Sequence, residues 1–548
     1  MTFVHSRGCL ELAIISLFLA FSKSSVVGVI PDVIADRFAR LHHGYSGEPC
    51  SEFDRSEKPE ACQQGTDNAQ AAAAYANVAL SMLALICNPV LGSLSDAYGR
   101  RFPFILALVL ESLPSLALLM LLTHPDGHPF LYFCSTALTG IANSVSLGFA
   151  ALSDVIPEDF RAPAYGVFMA AFYAGMALAP SIPLILSTQI QVCLVSIVLS
   201  AVAIAVGALF LPETLPNDQV WVLHESHNSI EQELLAPSMD EIMLPEESPS
   251  SPIISRRRAA HRSFVAEDED VDCCGLLCDD GDDESTLKTC RKLCHLITRP
   301  VRDLSILNRD WTIRLVVFAM LFQSMVYASD FTLFMYYVED QLNVRKDDIS
   351  TMFLGLGIAG VITQGLLMQP MQSCFGEKGL LVLTFLSGTL HNFLYGVARN
   401  KTTIFWALLL SQLTKLNYPI LSSVASKDAA ATEQGRIQGA LFAVSSIGYA
   451  LGPLSMELVY NRTKDNPRFG PGFMFVYAAG LYAVGTIVVA FIPTKSASTG
   501  LGNQRSSSLH ALLLNEEEGA VEDPFMSSCA IPHFEAEEVE DGSVRMDF

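Results

Sequence analysis

The chain has 548 residues, 51% apolar and only 17% charged, against roughly 25% charged in a soluble protein, which excludes a string of ordinary soluble domains. Its net charge of −23 is concentrated: 21 acids and 10 bases lie between Leu211 and Asp310, and 11 acids and 3 bases follow Pro493. The acidity therefore belongs to two appendages and points to no nucleic-acid or acidic partner.

A bilayer core takes about 20 mostly apolar residues per helix. Such stretches recur at roughly 9–34, 71–94, 102–122, 129–153, 164–187 and 189–211, and again at roughly 311–338, 349–371, 379–398, 402–425, 435–460 and 471–492. The first carries Glu11 and Lys23 and has spanning length, so it reads as a membrane helix rather than a removable signal. The prediction is an all-α membrane protein: twelve transmembrane helices in two pseudo-symmetric six-helix bundles, at 1–211 and 311–492. The segment 212–310 and the tail 493–548 are rich in Glu, Asp, Ser and Pro. Neither can bury enough apolar surface to offset its ordering entropy, so both are expected to be largely disordered, with a short helix at most near Leu287–Ile297.

The two sixes are related. Gly166, Gly175 and Pro180 in the fifth helix are matched by Gly439, Gly448, Gly452 and Pro453 in the eleventh, at an offset of 273. Gly99 matches Gly376 at 277, and Phe210-Leu211-Pro212 matches Phe491-Ile492-Pro493 at 281. Three landmarks in order at a nearly constant offset mark a duplicated unit. Arg100, Arg101, Arg161 and Arg256–Arg258 favour the cytoplasm for their loops. The two sequons, at Asn400 and Asn461, then fall outside or in a lumen, with both termini cytoplasmic.

The loop after the second helix reads Gly92-Ser-Leu94-Ser-Asp96-Ala-Tyr-Gly99-Arg100-Arg101. It resembles the signature loop of the major facilitator superfamily. That resemblance implies the major facilitator fold, with Asp96 and Arg100 latching the cytoplasmic gate and Asp96 near the positive N-terminus of the eleventh helix. The second copy has Ser373 at the Asp position, so only the first half should latch this way. The fifth-helix pattern resembles the antiporter motif of drug/proton exchangers, although Ala179 and Pro183 stand where that motif has Gly; a plain small-residue seam is the competing reading. Ala164-Tyr-Gly-Val-Phe-Met-Ala-Ala-Phe, Gln434-Gly-Arg-Ile-Gln-Gly439 and Pro471-Gly-Phe-Met-Phe are similar to the tetracycline-exporter and hippocampus abundant transcript-like branch.

Charges inside a membrane are costly and mark sites by default. The resemblance places the first, fourth, seventh and tenth helices around the cavity, and these carry Lys23, Asp330 and Lys415. Two bases and one acid suggest a polar, anionic substrate with Asp330 as proton carrier; an Asp330–Lys415 salt bridge is the alternative. Glu111 in the third helix is a second protonation candidate, or faces a polar seam. Gln364, His391, Asn392, Gln412 and Asn417 either hydrogen-bond cargo or join helices. Cys50 and Cys62 share the first external loop, where a disulfide is expected. Cys273, Cys274, Cys278, Cys290 and Cys294, with His295, have CxxxC spacings that could hold zinc but not a standard finger spacing, and read first as lipidated or free thiols, with no metal assigned.

No phosphate-cradling loop or HExxH is present, and neither an enzyme nor a cofactor is expected. The reading is a secondary active transporter of a small solute by alternating access, proton-coupled with antiport favoured, a monomer in the lipid bilayer of the plasma membrane or an endomembrane. The rival is a non-transporting receptor or sorting scaffold.

Overall fold

The computed structural model describes residues 8–53, 59–124, 126–179, 182, 185–186, 188–215, 300–342, 346–398, 400–463, 466, 470 and 472–493, without the side chains of 51, 330–353 and 401. Pro180, the central-loop cysteines, the segment near Leu287–Ile297 and the tail beyond 493 lie outside the described residues.

Among the described residues every regular element is helical. The reason is the one hydropathy implies: in lipid each backbone N–H must find its acceptor within the segment. The first half runs α1 Cys9–Ser25, α2 Val29–His43, α3 Glu60–Tyr98, α4 Arg101–Thr123, α5 Phe130–Leu138, α6 Ser144–Val155, α7 Arg161–Leu178 and α8 Gln189–Leu209. The second runs α9 Trp311–Leu342, α10 Lys346–Val361, α11 Met368–Val397, α12 Lys401–Ser411, α13 Asn417–Asp428, α14 Gln434–Thr463 and α15 Phe473–Ala490. A helix stands at each of the twelve places that hydropathy marks, and among the described residues nine helical stretches are long and apolar enough to cross a membrane.

Boundaries differ from expectation where polar residues extend a helix beyond its apolar run. The first span continues through α2 to His43, where Gly44 at φ 62° ends it, and α3 begins at Glu60 rather than near 71. Turn glycines mark the duplication: Gly99 at φ 101° bends the chain between α3 and α4, and Gly376 at φ 66° bends α11 between the eighth and ninth spans. L side chains are disfavoured at both.

Among the described residues, besides the turn at 26–28 that separates α1 from α2 in the first span, three spans are interrupted. Ala142 and Asn143 are extended between α5 and α6, a 3₁₀ turn Gln412–Leu416 separates α12 from α13, and a π turn Ile362–Leu367 joins α10 to α11. Such breaks persist at membrane depth only inside protein or along a cavity, and π turns gather at functional sites.

The repeated glycines make equivalent contacts in the two halves. An added Cβ at Gly175 would strike the Leu17 carbonyl of α1, and one at Gly448 would strike Ser324 of α9, each within its own half. Gly166 of α7 instead lies against Met368 and the Gln364 carbonyl, and Gly439 of α14 against the Asn88 carbonyl of α3, each across to the opposite half. Gly452 lies against the Met325 carbonyl. The small residues thus let backbones approach where the halves meet. Outward-facing side chains such as Phe102 (74% exposed) and Trp406 (67%) suit lipid and would be a liability in water.

Candidate functional site

At one end of the bundle α3 hands its last turn to the opposite half. The Gly435 and Arg436 amides in the first turn of α14 donate to the two carboxylate oxygens of Asp96 at 2.7 and 2.8 Å, pairing a negative charge with the positive end of a helix. Arg100 binds Asp96 at 2.6 Å and reaches Asp154 at the end of α6 at 2.8 and 3.2 Å. It also donates to Ser95 Oγ at 2.7 Å. Burial alone would lower the Arg100 pKa, but the flanking Asp96 and Asp154 carboxylates overcome this and hold it above its ordinary value. The Glu213 carboxylate accepts the Arg100 and Arg101 amides at 2.8 and 3.2 Å, and the Arg101 guanidinium donates to the Ala208 carbonyl. Gly92 lies against the Gly435 carbonyl, so the close approach needs its missing side chain. Leu94 is half-buried beside it on α3.

Other residues complete this junction between the halves. Arg161 donates to the Ser426 carbonyl in the opposite half at 3.0 Å and to the Ser153 carbonyl at 3.1 Å, while Gln434 donates to the Ser426 carbonyl at 3.1 Å. Arg161 and Gln434, like Ser153 and Ser426, are 273 residues apart. Ser373, in place of Asp96, bonds among the described residues its own helix, at Gln369 O 3.0 Å away. Pro163, in the place of Arg436, has no N–H to give. The symmetry-related grip therefore lacks its acid in the second half and, in the first, one of its two amide donors, since Ala162 keeps its N–H.

Deeper in the first half Glu111 of α4 is buried, 4% exposed, and accepts three bonds. Lys23 of α1 donates at 2.8 Å, and the amide and hydroxyl of Ser144 donate at 2.9 and 3.1 Å. Ser144 opens α6, so the interruption of the fourth span turns a helix N-terminus onto a carboxylate. Ser22, Ser115, Ser196 and Ser200 join hydroxyls beside it and knit the first, third and sixth spans.

Lys415 lies in the 3₁₀ turn of the tenth span. Its ammonium stands 4.6 Å from the Tyr327 ring centroid and 5.8 Å from that of Tyr173, and Tyr449 lies 6.2 Å from Tyr327. Gln364 of the π turn donates to the Lys415 carbonyl at 3.2 Å. Tyr173 belongs to the first half and the other partners to the second, so this cluster sits where the halves meet.

Of the predicted charges, Lys23 and Glu111 come together and Lys415 is framed by aromatic rings. Asp330 lies on α9 with its side chain outside the described residues. His391 and Asn392 bond the Ser387 and Gly388 carbonyls of their own helix at 3.1 Å each. Cys50 and Cys62 form a disulfide, Cα–Cα 5.6 Å. Cys62 lies in the first turn of α3, whose far end carries Asp96, so the disulfide and the Asp96 cluster stand at opposite ends. Sequence reasoning missed Asp154, which falls one residue beyond its apolar stretch, and Glu213, hidden among the acids of the central segment. Tyr173, Tyr327 and Tyr449 gave no signal, because aromatic residues in apolar helices look like packing.

Two six-helix halves closed at one end by breakable polar contacts define a multi-pass membrane transport protein. The chain belongs to the major facilitator superfamily, whose family model matches residues 12–453. It is 21% identical to human hippocampus abundant transcript-like protein 1 over 81% of this chain and 77% of that one. It is 22% identical to the class E tetracycline resistance protein of Escherichia coli over 75% and 83%. The fold is similar to that of the human organic anion transporter MFSD10, with TM-score 0.60, 18% identity and coverage of 88% and 99%. It is also similar to the proton:xylose symporter XylE, with TM-score 0.56, 14% identity and coverage of 88% and 95%.

Proposed function

We propose that the chain is a secondary active transporter that moves a small solute by alternating access, coupled to protons and favouring antiport. The observation that carries this reading is the grip of Asp96 on the α14 amides. It ties the halves at one end through hydrogen bonds that can be broken and remade, with Arg100 holding the Asp96 carboxylate in place from within the first half. Glu111 is the proton carrier of this reading. Protonation removes its charge and releases Lys23, whose side chain is 43% exposed, and Ser144 at the break of the fourth span.

The gate end faces the cytoplasm in this reading, together with both termini and the 212–310 segment, and the disulfide end faces an oxidising compartment. The antiporter-like glycines of α7 and α14 form the hinge surfaces, and one copy of the chain suffices. A non-transporting scaffold would place its charges away from any path between the halves, and Lys415 at their junction argues against that.

The test is purified protein in proteoliposomes with an imposed pH gradient and a panel of labelled solutes. Solute movement should follow the gradient in the wild type, whereas Glu111→Gln should retain exchange and lose gradient-driven accumulation. Movement indifferent to pH would replace coupling by facilitated diffusion, and no movement of any solute would favour the scaffold.

A further inference from the structure

Lys23 and Lys415 are intramembrane bases with different surroundings. Lys23 is neutralised by Glu111 at 2.8 Å. Among the described residues no carboxylate pairs with Lys415, which is half-buried with the Tyr327 and Tyr173 rings facing its ammonium. Ring faces attract a cation at these distances, but they leave its net charge in place. A cation withdrawn from water without a counter-charge is costly.

The surrounding groups are polar and unsatisfied. Gln364, 1% exposed, gives its amide N–H to the Lys415 carbonyl and leaves Oε1 without a partner. Asn417, fully buried two residues further along, leaves both amide atoms without a partner, and so does Gln412 its Oε1. Buried amides normally find hydrogen bonds. Here Gln364 and Gln412 stand on the two irregular turns, Ile362–Leu367 and Gln412–Leu416, and Asn417 follows the second as the first residue of α13.

We propose that this cluster is the solute site and that the solute is a small organic anion with a flat, conjugated body. Its carboxylate or sulfonate binds the Lys415 ammonium, and its body lies against the Tyr327, Tyr449 and Tyr173 rings. The unpaired amides of Gln364 and Asn417 take its remaining polar atoms. Because Tyr173 comes from the first half and Lys415 from the second, the anion touches both halves at once and biases their arrangement. The assignment rests on the transport reading for its meaning, but its test reads binding alone.

The experiment is equilibrium binding to the full chain in nanodiscs, with naphthalene-2-carboxylate, naphthalene-2-sulfonate, benzoate and indole-3-acetate as probes and naphthalene-2-carboxamide as the uncharged control. At least one anion should bind saturably. Replacing it with the carboxamide, or Lys415 with Gln, should weaken binding by about tenfold or more, the scale for removing one partner of a desolvated charge pair. Lys415→Arg should keep most of the affinity, and Tyr327→Leu should weaken anions that carry rings. Elution as a single peak checks that each variant is folded. Equal binding of the carboxamide, wild-type affinity in Lys415→Gln, or no binding by any probe would overturn the anion site. If neutral or cationic solutes nevertheless follow the pH gradient in proteoliposomes, the transport reading stands without it. If anions bind but nothing moves, the site stands and the transport reading falls.

Discussion

Lys427 donates to Glu377 at 2.8 Å, and this pair is the charge-reversed image of Arg100 and Asp154. Glu377 follows Gly376 as Arg100 follows Gly99, and Lys427 stands 273 residues after Asp154. Both halves therefore tie the turn between two spans to the end of a neighbouring span by an ion pair. Only the first half adds the acid that reaches across.

Exchanging the charges tests that equivalence. Glu377→Lys and Lys427→Glu should each lower the melting temperature in nanodiscs, and the double exchange should recover most of the loss. With side chains 19% and 20% exposed, the coupling should be about 0.5–1 kcal/mol. Additive losses with no recovery would show that the contact carries no coupling.

Asp96→Asn keeps the shape of the side chain and removes its charge, leaving one carbonyl oxygen for two amides. Charge-assisted hydrogen bonds contribute about 1.5–3 kcal/mol each. Hydrogen exchange at Gly435 and Arg436 should therefore accelerate by about tenfold to a hundredfold, with exchange in α15 unchanged. Unaltered protection at the two amides would mean that Asp96 does not hold the gate.

Much of the architecture is legible in the amino-acid sequence. Continuous apolar runs force helices, and the glycine spacing of the fifth and eleventh spans betrays the duplication because close backbone approach tolerates no side chain. Asp96 is legible because its motif packs glycines, an acid and arginines into one short turn. Its donors are not, since they are backbone amides of Gly435 and Arg436, and a sequence does not say which amides a distant carboxylate will meet. The pairing of Lys23 with Glu111 is hidden for a related reason: it depends on how the first and third spans are rotated against each other, and on a break in the fourth span that hydropathy does not see.

Two glycines should respond to alanine in opposite directions. At Gly480 of α15 nothing lies within 4 Å of an added Cβ, so Gly480→Ala should stabilise the helix by about 0.5–1 kcal/mol. At Gly439 the Cβ meets the Asn88 carbonyl and its carbon, so Gly439→Ala should push α14 off α3 and lower the melting temperature. Equal effects at the two sites would remove the close approach from the account.

The two sequons should also differ. Asn400 uses its side chain as the cap of α12, accepting from the Thr403 amide at 2.9 Å, whereas Asn461 is exposed at the end of α14 opposite the gate. In eukaryotic cells endoglycosidase treatment should shift the wild type and Asn400→Gln but leave Asn461→Gln unmoved. A shift that persists in Asn461→Gln would contradict this placement.

Alternating access itself is tested most directly by distances between the halves at both ends. Nitroxide labels at Glu158 and Ser373 would report the gate end, and labels at His42 and Arg462 the opposite end; all four residues are exposed. The account predicts two distance populations at each end in nanodiscs, short at one end when long at the other, with Asp96→Asn shifting both toward the open gate. A single unchanging distance at both ends, in the wild type and in Asp96→Asn alike, would contradict it.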